Sequence, residues 1–228
     1  MTAARASAII VAAGQSRRMG GVPKVLLPLD GKPVIAHALD AIEAASLIDE
    51  IILVGSESTI AEFEKLRSSE TWSKLKRVVP GGERRQDSVA AGLEAVDPRT
   101  DVIAVHDGAR PFASSALFDE CVAAAREHGA AIAAVPVVDT LKRVHEGIVA
   151  MTVDRIELWA AQTPQAVRAD LLRDAMTRGL DVTDEAMLIE AIGQPVRIVE
   201  GSRFNFKITH PADLALAETF ARTLKDKE

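Results

Sequence analysis

Four short apolar runs constrain the fold of this 228-residue chain more than any other feature of its sequence. They are rich in β-branched residues and do not alternate with polar ones; in chain order they are Ile9-Ile10-Val11, Ile51-Ile52-Leu53-Val54, Val102-Ile103-Ala104-Val105 and residues 130–138. Runs of this kind are typical of strands that are covered on both faces. Segments with apolar residues at helical spacing lie between them. The pattern predicts an α/β fold with a Rossmann-like, mostly parallel sheet and helices on both faces.

Composition limits the class of protein further. Hydrophobic residues make up 48% and charged residues 26%, which suits one globular domain spanning residues 1–228. The net charge of −6 argues against broad binding to nucleic acid or to anionic membranes. Cys121 is the only cysteine, which excludes an intrachain disulfide and a cysteine-based zinc site, and we expect it in the core. Without a recognisable signal peptide or a membrane-length apolar run, the protein is expected in the cytoplasm.

A bare loop follows the first apolar run. Small residues remove side-chain bulk there, and their amide N–H groups can point at an anion; the residues are Ala12, Ala13, Gly14, Gln15 and Ser16. Three cations come next, Arg17, Arg18 and Lys24. The combination predicts a seat for a polyphosphate. An ordinary strand-to-loop turn with surface arginines is the alternative that this stretch leaves open.

Two common phosphate loops are excluded by spacing. The G-x-G-x-x-G pattern fails because Ser16 occupies its second glycine position. The G-x-x-x-x-G-K-[ST] pattern fails because Lys24 follows Pro23 and precedes Val25.

A second informative stretch begins at the glycine pair Gly81-Gly82. The glycines allow close backbone approach, and Asp87 or Ser88 is expected to cap the helix that follows. Such a helix start beside a bare loop can read the edges of a flat base. A plain helix cap with solvated arginines is an equally good interpretation.

The third stretch, His106-Asp107-Gly108-Ala109-Arg110, ends a buried strand, where open α/β sheets bind their ligands. Asp107 can accept from a hydroxyl or hold a metal, and Arg110 can grip a phosphate. His106 has no serine or cysteine nearby in sequence to activate, so we expect a structural role for it.

Residues 138–160 depart from the strand-and-helix rhythm. Two alternating segments flank Glu146-Gly147, which predicts a β-hairpin. A lone hairpin is marginal in water, so we expect an arm that leaves the domain and embraces a second subunit. Further along, Thr183 precedes a helix and is a candidate N-cap.

Six segments taken in order resemble one family across nearly the whole chain. They are A-A-G-Q-S-R-R-M, P-K, G-G-E-R-R-Q-D-S-V, H-D-G-A-R-P, T-V-D-R with A-Q-T-P-Q, and T-D-E-A with N-F-K-I-T. The chain resembles the 2-C-methyl-D-erythritol 4-phosphate cytidylyltransferases of the non-mevalonate isoprenoid pathway. Each motif is modest alone, whereas their joint order is highly specific.

The resemblance implies cytidylyl transfer from CTP to methylerythritol 4-phosphate by direct in-line attack, with Mg²⁺ held mainly by the CTP phosphates and with pyrophosphate leaving. It implies a homodimer in which the arm completes the neighbour's site. The implied catalytic residues are Arg18, Lys24, Arg155 and Lys207. The implied nucleotide-binding residues are Ala12, Ala13, Gly14, Gln15, Ser16, Gly82, Glu83, Arg85, Ser88, Asp107 and Gly108. The implied residues for the second substrate are Asp107, Arg110, Thr140, Arg155, Thr163, Thr183 and Lys207.

Two departures from the family pattern bear on the site. Ser16 stands where the family usually has glycine, and a positive φ there would cost about 1 kcal/mol. Gly108 replaces a common alanine, which we expect to be sterically harmless. A ribitol 5-phosphate cytidylyltransferase and a catalytically silent, nucleotide-binding regulatory protein are the alternatives.

Overall fold

A computed structural model describes residues 4–14, 16, 20–69 and 71–225 of the chain. The strands are β1 (Ala6–Ala12), β2 (Pro28–Leu29), β3 (Lys32–Pro33), β4 (Ile48–Gly55), β5 (Leu75–Pro80), β6 (Val102–Asp107), β7 (Ala130–Pro136), β8 (Leu141–His145), β9 (Ile148–Val153), β10 (Trp159–Arg168) and β11 (Arg197–Glu200). The helices are α1 (Val34–Ala44), α2 (Glu57–Ser68), α3 (Arg85–Ala95), α4 (Ser115–His128), α5 (Ala169–Thr177), α6 (Glu185–Ala191) and α7 (Pro211–Lys225).

Seven strands form the central sheet in the order β11-β7-β10-β6-β1-β4-β5. All neighbouring pairs run parallel except those of β10, which lies antiparallel between β6 and β7. The predicted mostly parallel sheet is therefore confirmed. The antiparallel strand is a finding of the structure, because the sequence indicated only that this segment returns from the hairpin. Residues 205–209, where apolar residues alternate with Lys207, follow β11 without forming a strand.

The two faces of the sheet carry separate cores, because successive side chains of a strand point to opposite sides. Ile10 packs with α1 and α4 in a cluster that includes Leu39 and Phe118. Its neighbour Ile9 packs on the other face with Val89 of α3 and with α5 and α6. Helices thus cover both faces, as the non-alternating runs predicted, and full burial of each large side chain contributes about 1.5–3 kcal/mol.

The hairpin of β8 and β9 forms a two-stranded sheet of its own, apart from the central sheet. Its turn uses Glu146 with φ 48° and Gly147 with φ 80°, the left-handed pair that two-residue hairpin loops require. The predicted hairpin is confirmed. Its apolar side chains are largely exposed in the single chain, Ile148 by 74%.

Two further observations concern the body of the fold. Cys121 lies fully buried in α4, as expected, and burial raises the pKa of its thiol to about 12. Within the described ranges, every helix is too short or too polar to cross a bilayer.

Candidate active site

A cleft of about 760 Å³ opens where β1, β5 and β6 end. These carboxyl ends lie at the same edge of the sheet because the strands run parallel. From β1 the chain continues to β4 on one side and later reaches β6 on the other side, and open α/β sheets bind ligands at such a change of direction. The described residues that line the cleft are Val11, Ala12, Ala13, Gly14, Ser16, Lys24, Val25, Gly82, Glu83, Arg84, Arg85, Ser88, Asp107, Ala109, Lys207 and Thr209. Most of the predicted nucleotide-binding residues are therefore brought together.

The loop after β1 forms the first wall of the cleft. Ser16 adopts φ 48°, so the left-handed conformation expected for a glycine is present with a serine in place. The Lys24 N–H donates to Ser16 Oγ at 3.2 Å, and the Gly21 N–H donates to Ser16 O at 3.2 Å. The serine thus anchors Lys24, the first residue of a short 3₁₀ turn (Lys24–Leu26) in which Val25 is buried. The predicted residues Gln15 and Arg18 lie outside the described residues.

The glycine pair after β5 forms the opposite wall. A Cβ at Gly81 would lie 2.5 Å from Ala13 Cβ and 2.6 Å from Ser88 Oγ, so only glycine lets these two loops approach. The Gly82 N–H donates to Ser88 Oγ at 3.2 Å. The expected cap was wrong, because α3 begins at Arg85 with Arg84 as its N-cap. Asp87 instead accepts from the Arg84 N–H at 3.1 Å.

Asp107 lies at the centre of the cleft and is almost fully buried. Its Oδ1 accepts from Arg85 Nε at 3.2 Å and its Oδ2 from Lys207 Nζ at 2.8 Å, while Arg110 Nε lies 3.6 Å from Oδ2. Burial disfavours the carboxylate, but Lys207, Arg85 and Arg110 outweigh it and hold the pKa of Asp107 well below its ordinary value. The site therefore contains a permanent anion with three cations around it.

Arg85 links this centre to α6. Its guanidinium makes two hydrogen bonds, at 2.7 and 2.9 Å, to the buried carboxylate of Glu185. Burial raises the pKa of Glu185, and the paired guanidinium offsets that shift only in part. Gln165 of β10 accepts from the Glu185 and Ala186 N–H groups and so holds the start of the same helix. Sequence reasoning missed Glu185 and Gln165, although both lie inside the quoted motifs.

Lys207 reaches the cleft through a tightly bonded coil. The Ile208 N–H donates to Ala109 O at 2.9 Å, and Arg110 Nη1 donates to Asn205 O at 2.7 Å. Two cross-links thus fasten residues 205–208 to the loop after β6. Burial lowers the pKa of Arg110, partly offset by Asp107. In this arrangement Arg110 supports the site from behind the residues that line it.

Four further predicted residues are not among the described residues that line the cleft. Thr163 accepts from the Asp107 N–H at 3.1 Å and so touches the centre of the site. Thr183 is exposed just before α6, and the expected cap was wrong, because Asp184 accepts from the Met187 N–H instead. Thr140 and Arg155 lie at the base of the hairpin, where Arg155 Nη1 donates to Val138 O.

Gly108 is buried directly behind the cleft. Its N–H donates to Val11 O at 3.0 Å, which ties the loop after β6 to β1. The space that an alanine methyl would take is filled, since a Cβ would lie 2.6 Å from Ile35 Cδ1. Glycine is accommodated here, as expected, and the neighbouring isoleucine has closed the gap.

The carboxylates of the cleft do not form a metal cage. Within the described part of the chain, no group of three histidine, cysteine, aspartate or glutamate residues could hold an ion. The acids among the described lining residues are Asp107 and Glu83. Both oxygens of Asp107 already have cationic partners.

Comparisons with known proteins agree with this geometry. A sequence model of the 2-C-methyl-D-erythritol 4-phosphate cytidylyltransferase family matches residues 6–223. Enzymes of that name from Dehalococcoides mccartyi and Bacillus licheniformis are 44% and 42% identical to this chain, over 94% and 96% of it and 95% and 97% of their own lengths.

Solved structures give the same result. The crystal structure of 4-diphosphocytidyl-2C-methyl-D-erythritol synthase from Anaerococcus prevotii superposes with a TM-score of 0.85 at 30% identity, covering 96% of both chains. That of 2-C-methyl-D-erythritol 4-phosphate cytidylyltransferase from Thermus thermophilus gives 0.78 at 36% identity, covering 96% of this chain and 99% of the other.

Proposed function

The chain belongs to the 2-C-methyl-D-erythritol 4-phosphate cytidylyltransferase family, and we propose that it transfers the cytidylyl group of CTP to 2-C-methyl-D-erythritol 4-phosphate. The observation that carries the proposal is the cleft itself, in which a bare loop after β1 faces the Asp107–Lys207 ion pair. Neither the ribitol phosphate enzyme nor the silent regulatory protein is favoured by the relatives.

The reaction we propose needs no protein nucleophile. A phosphate oxygen of the acceptor attacks the α-phosphorus of CTP, the bond from that phosphorus to the bridging oxygen breaks, and pyrophosphate leaves with the electron pair. Two anions must be aligned and the charge at the α-phosphate stabilised. Lys24 and Lys207 line the cleft from two sides and suit that task. We assign the same task to Arg18.

In this proposal the nucleotide binds between the two glycine-containing walls of the cleft. The amides from Ala12 to Ser16 cradle the triphosphate, as expected of a bare loop at a strand end. Gly82, Glu83 and Ser88, which line the cleft around the start of α3, read the cytosine. Arg85 acts through Asp107 and Glu185, which its guanidinium already contacts.

The oxygen donors of the cleft residues suit Mg²⁺ only when the nucleotide phosphates supply most of its ligands. The ion prefers oxygen ligands and is commonly held by one or two carboxylates together with substrate phosphates. Asp107 is the acid best placed to lie near it, and the ion supplies neutralisation of the triphosphate charge when bound. The cytoplasmic location stays an expectation from the sequence.

We further propose a homodimer through the hairpin arm. Apolar side chains on and beside the arm are exposed in the single chain, and such a patch calls for a partner surface; they are Val138, Val144, Ile148, Val149, Met151, Ile156, Leu158 and Trp159. Crossing to the neighbour brings Thr140 and Arg155 to a cleft that they do not line in their own chain. Thr163, Thr183 and Arg110 serve the second substrate from within the chain.

Pyrophosphate release from CTP and Mg²⁺ tests the activity, with methylerythritol 4-phosphate and ribitol 5-phosphate offered separately. We expect release with the first only. Release with ribitol 5-phosphate alone reassigns the acceptor. Measurable CTP binding without release from either contradicts the proposed reaction and supports a regulatory role.

Mixed dimers test the arm. We expect dimers that pair Arg155→Ala with Lys24→Ala subunits to recover activity that neither homodimer has, because one intact site remains in each. Verified mixed dimers without recovery would rule out sharing of the arm.

A further inference from the structure

His106 makes hydrogen bonds with both of its ring nitrogens at the centre of the fold. Nε2 lies 3.1 Å from the carbonyl oxygen of Arg110, and Nδ1 lies 3.0 Å from Thr163 Oγ1. The side chain is completely buried, and its ring packs against Phe118 with centroids 4.9 Å apart. The sequence suggested no partner because Thr163 lies in β10, 57 residues away.

The partners determine where the proton of the imidazole lies. A carbonyl oxygen can only accept, so Nε2 carries the hydrogen and donates it to Arg110. Burial lowers the pKa of His106 to about 4, so the ring is neutral and Nδ1 carries a lone pair. Thr163 is then the donor in its bond to Nδ1.

This assignment fixes the polarity of the Thr163 hydroxyl. A hydroxyl has one proton to donate and two lone pairs. The proton goes to His106, and one lone pair accepts from the Asp107 N–H at 3.1 Å. One lone pair remains. Any contact between Thr163 and a substrate must therefore be one in which the substrate donates, as a polyol hydroxyl does and a phosphate oxyanion does not.

We propose that His106 is a positioning residue, which fixes the Thr163 hydroxyl as an acceptor and ties together the two ends of the loop from Asp107 to Arg110. The link runs from the Asp107 N–H through Thr163 to the ring, and from the ring to Arg110 O. It holds two charged groups, the Asp107 carboxylate and the Arg110 guanidinium, at their places in the site. The kinetic consequence rests on the proposed function, because it concerns a phosphorylated polyol as acceptor.

Nitrogen-15 NMR of histidine-labelled protein tests the proton assignment without any substrate. We expect the His106 ring near neutral pH to show a protonated Nε2 and an unprotonated Nδ1, assigned by the signals missing from His106→Asn. A protonated Nδ1, in either the other tautomer or the imidazolium, overturns the proposal. This readout stands even if the proposed reaction fails.

Kinetics of matched variants test the positioning role. The amide oxygen of His106→Asn can accept from Thr163 in place of Nδ1, whereas His106→Leu keeps comparable bulk and cannot. We expect His106→Leu and Thr163→Val each to lower kcat roughly tenfold or more, as the loss of a buried hydrogen bond allows, with the KM for CTP little changed. His106→Asn should retain more activity than His106→Leu.

A double-mutant cycle completes the test. If His106 acts through Thr163, adding Thr163→Val to His106→Leu should cost little more than either change alone. Fully additive losses, or equal activity of the Asn and Leu variants, overturn the positioning role. Thermal unfolding of each variant identifies any loss that comes from a smaller folded fraction. Should the Leu variant not fold, Thr163→Val is compared with Thr163→Ser, which keeps the hydroxyl that donates to His106; equal losses in kcat would overturn the positioning role.

Discussion

Lys207 Nζ donates to Asp107 Oδ2 at 2.8 Å, and this ion pair joins residues that are 100 positions apart in the sequence. It connects the end of β6 to the coil before α7 at the middle of the cleft. Asp107 is also the shared anion of Arg85 and Arg110. Lys207, Arg85 and Arg110 therefore share one carboxylate.

Replacing the Asp107 carboxylate should destabilise the fold and also impair the reaction. Asp107→Asn leaves Lys207 and Arg110 without their anion, while Arg85 keeps its pair with Glu185. Removing one partner of a buried pair costs about 3–5 kcal/mol. Because Lys207 is partly exposed, we expect about 3 kcal/mol or less by urea unfolding. Asp170→Asn, in an exposed pair with Arg168, is the matched control and should change little. Equal effects of the two changes would contradict the central role of Asp107.

Lys24→Ala should lower kcat much more than it weakens CTP binding. Lys24 stabilises negative charge that is greatest in the transition state. We therefore expect its removal to lower kcat roughly 10²–10³-fold. Lys32→Ala, which removes a cation paired with Asp40 outside the cleft, is the control and should leave kcat near that of the wild type. Losses in binding and turnover of the same size would contradict this role for Lys24.

Ser16 combines a backbone cost with a hydrogen bond. Its φ of 48° costs about 1 kcal/mol relative to glycine, and its hydroxyl accepts from the Lys24 N–H, worth about 1 kcal/mol. Ser16→Gly should therefore be nearly neutral in stability. Ser16→Ala keeps the strain and loses the bond, so it should be about 1 kcal/mol less stable in urea unfolding. Both variants lose the hydrogen bond, so equal stability of the two would contradict a backbone cost at this position.

Gly108→Ala should overpack the site from behind. The new methyl would lie 2.6 Å from Ile35 Cδ1, and overpacking of this kind costs about 1–3 kcal/mol. Ile35→Val removes that Cδ1 and alone costs about 0.5–1.5 kcal/mol. The double variant should be more stable than the sum of the two losses, as measured by thermal unfolding. Strict additivity would show that Ile35 is not the residue that fills the space.

His106 should make stability depend on pH between 6.5 and about 4. Its pKa falls from 6.5 to about 4 on folding, so the unfolded chain binds more protons within this window. The contribution of His106 to the free energy of unfolding is fully present above pH 6.5 and is lost as the pH falls to about 4. The total loss across this window is about 3 kcal/mol. Urea unfolding of the wild type and of His106→Asn should differ in slope across the window. Parallel curves would contradict a neutral, buried His106.

Much of the molecule follows from local sequence. Apolar runs without alternation specify strands covered on both faces, and the Glu146-Gly147 pair specifies the hairpin turn, because both depend on neighbours in the chain. The bare loop after β1 and the glycine pair after β5 likewise indicate two walls of the cleft, because a stretch of small residues is itself a local feature. The sequence predicted the helix starts less accurately, because the N-caps of α3 and α6 each lie one or more residues away from the predicted N-caps.

The tertiary structure decided what meets across the sheet. The antiparallel insertion of β10 between β6 and β7 brings Thr163 to His106 and Gln165 to α6. A coil rather than a strand delivers Lys207 to Asp107. Such contacts depend on strand order and register between distant segments, which no local pattern contains. The sequence therefore determined which chemical groups the protein has for its site, and only the packing of the sheet decided which of them touch.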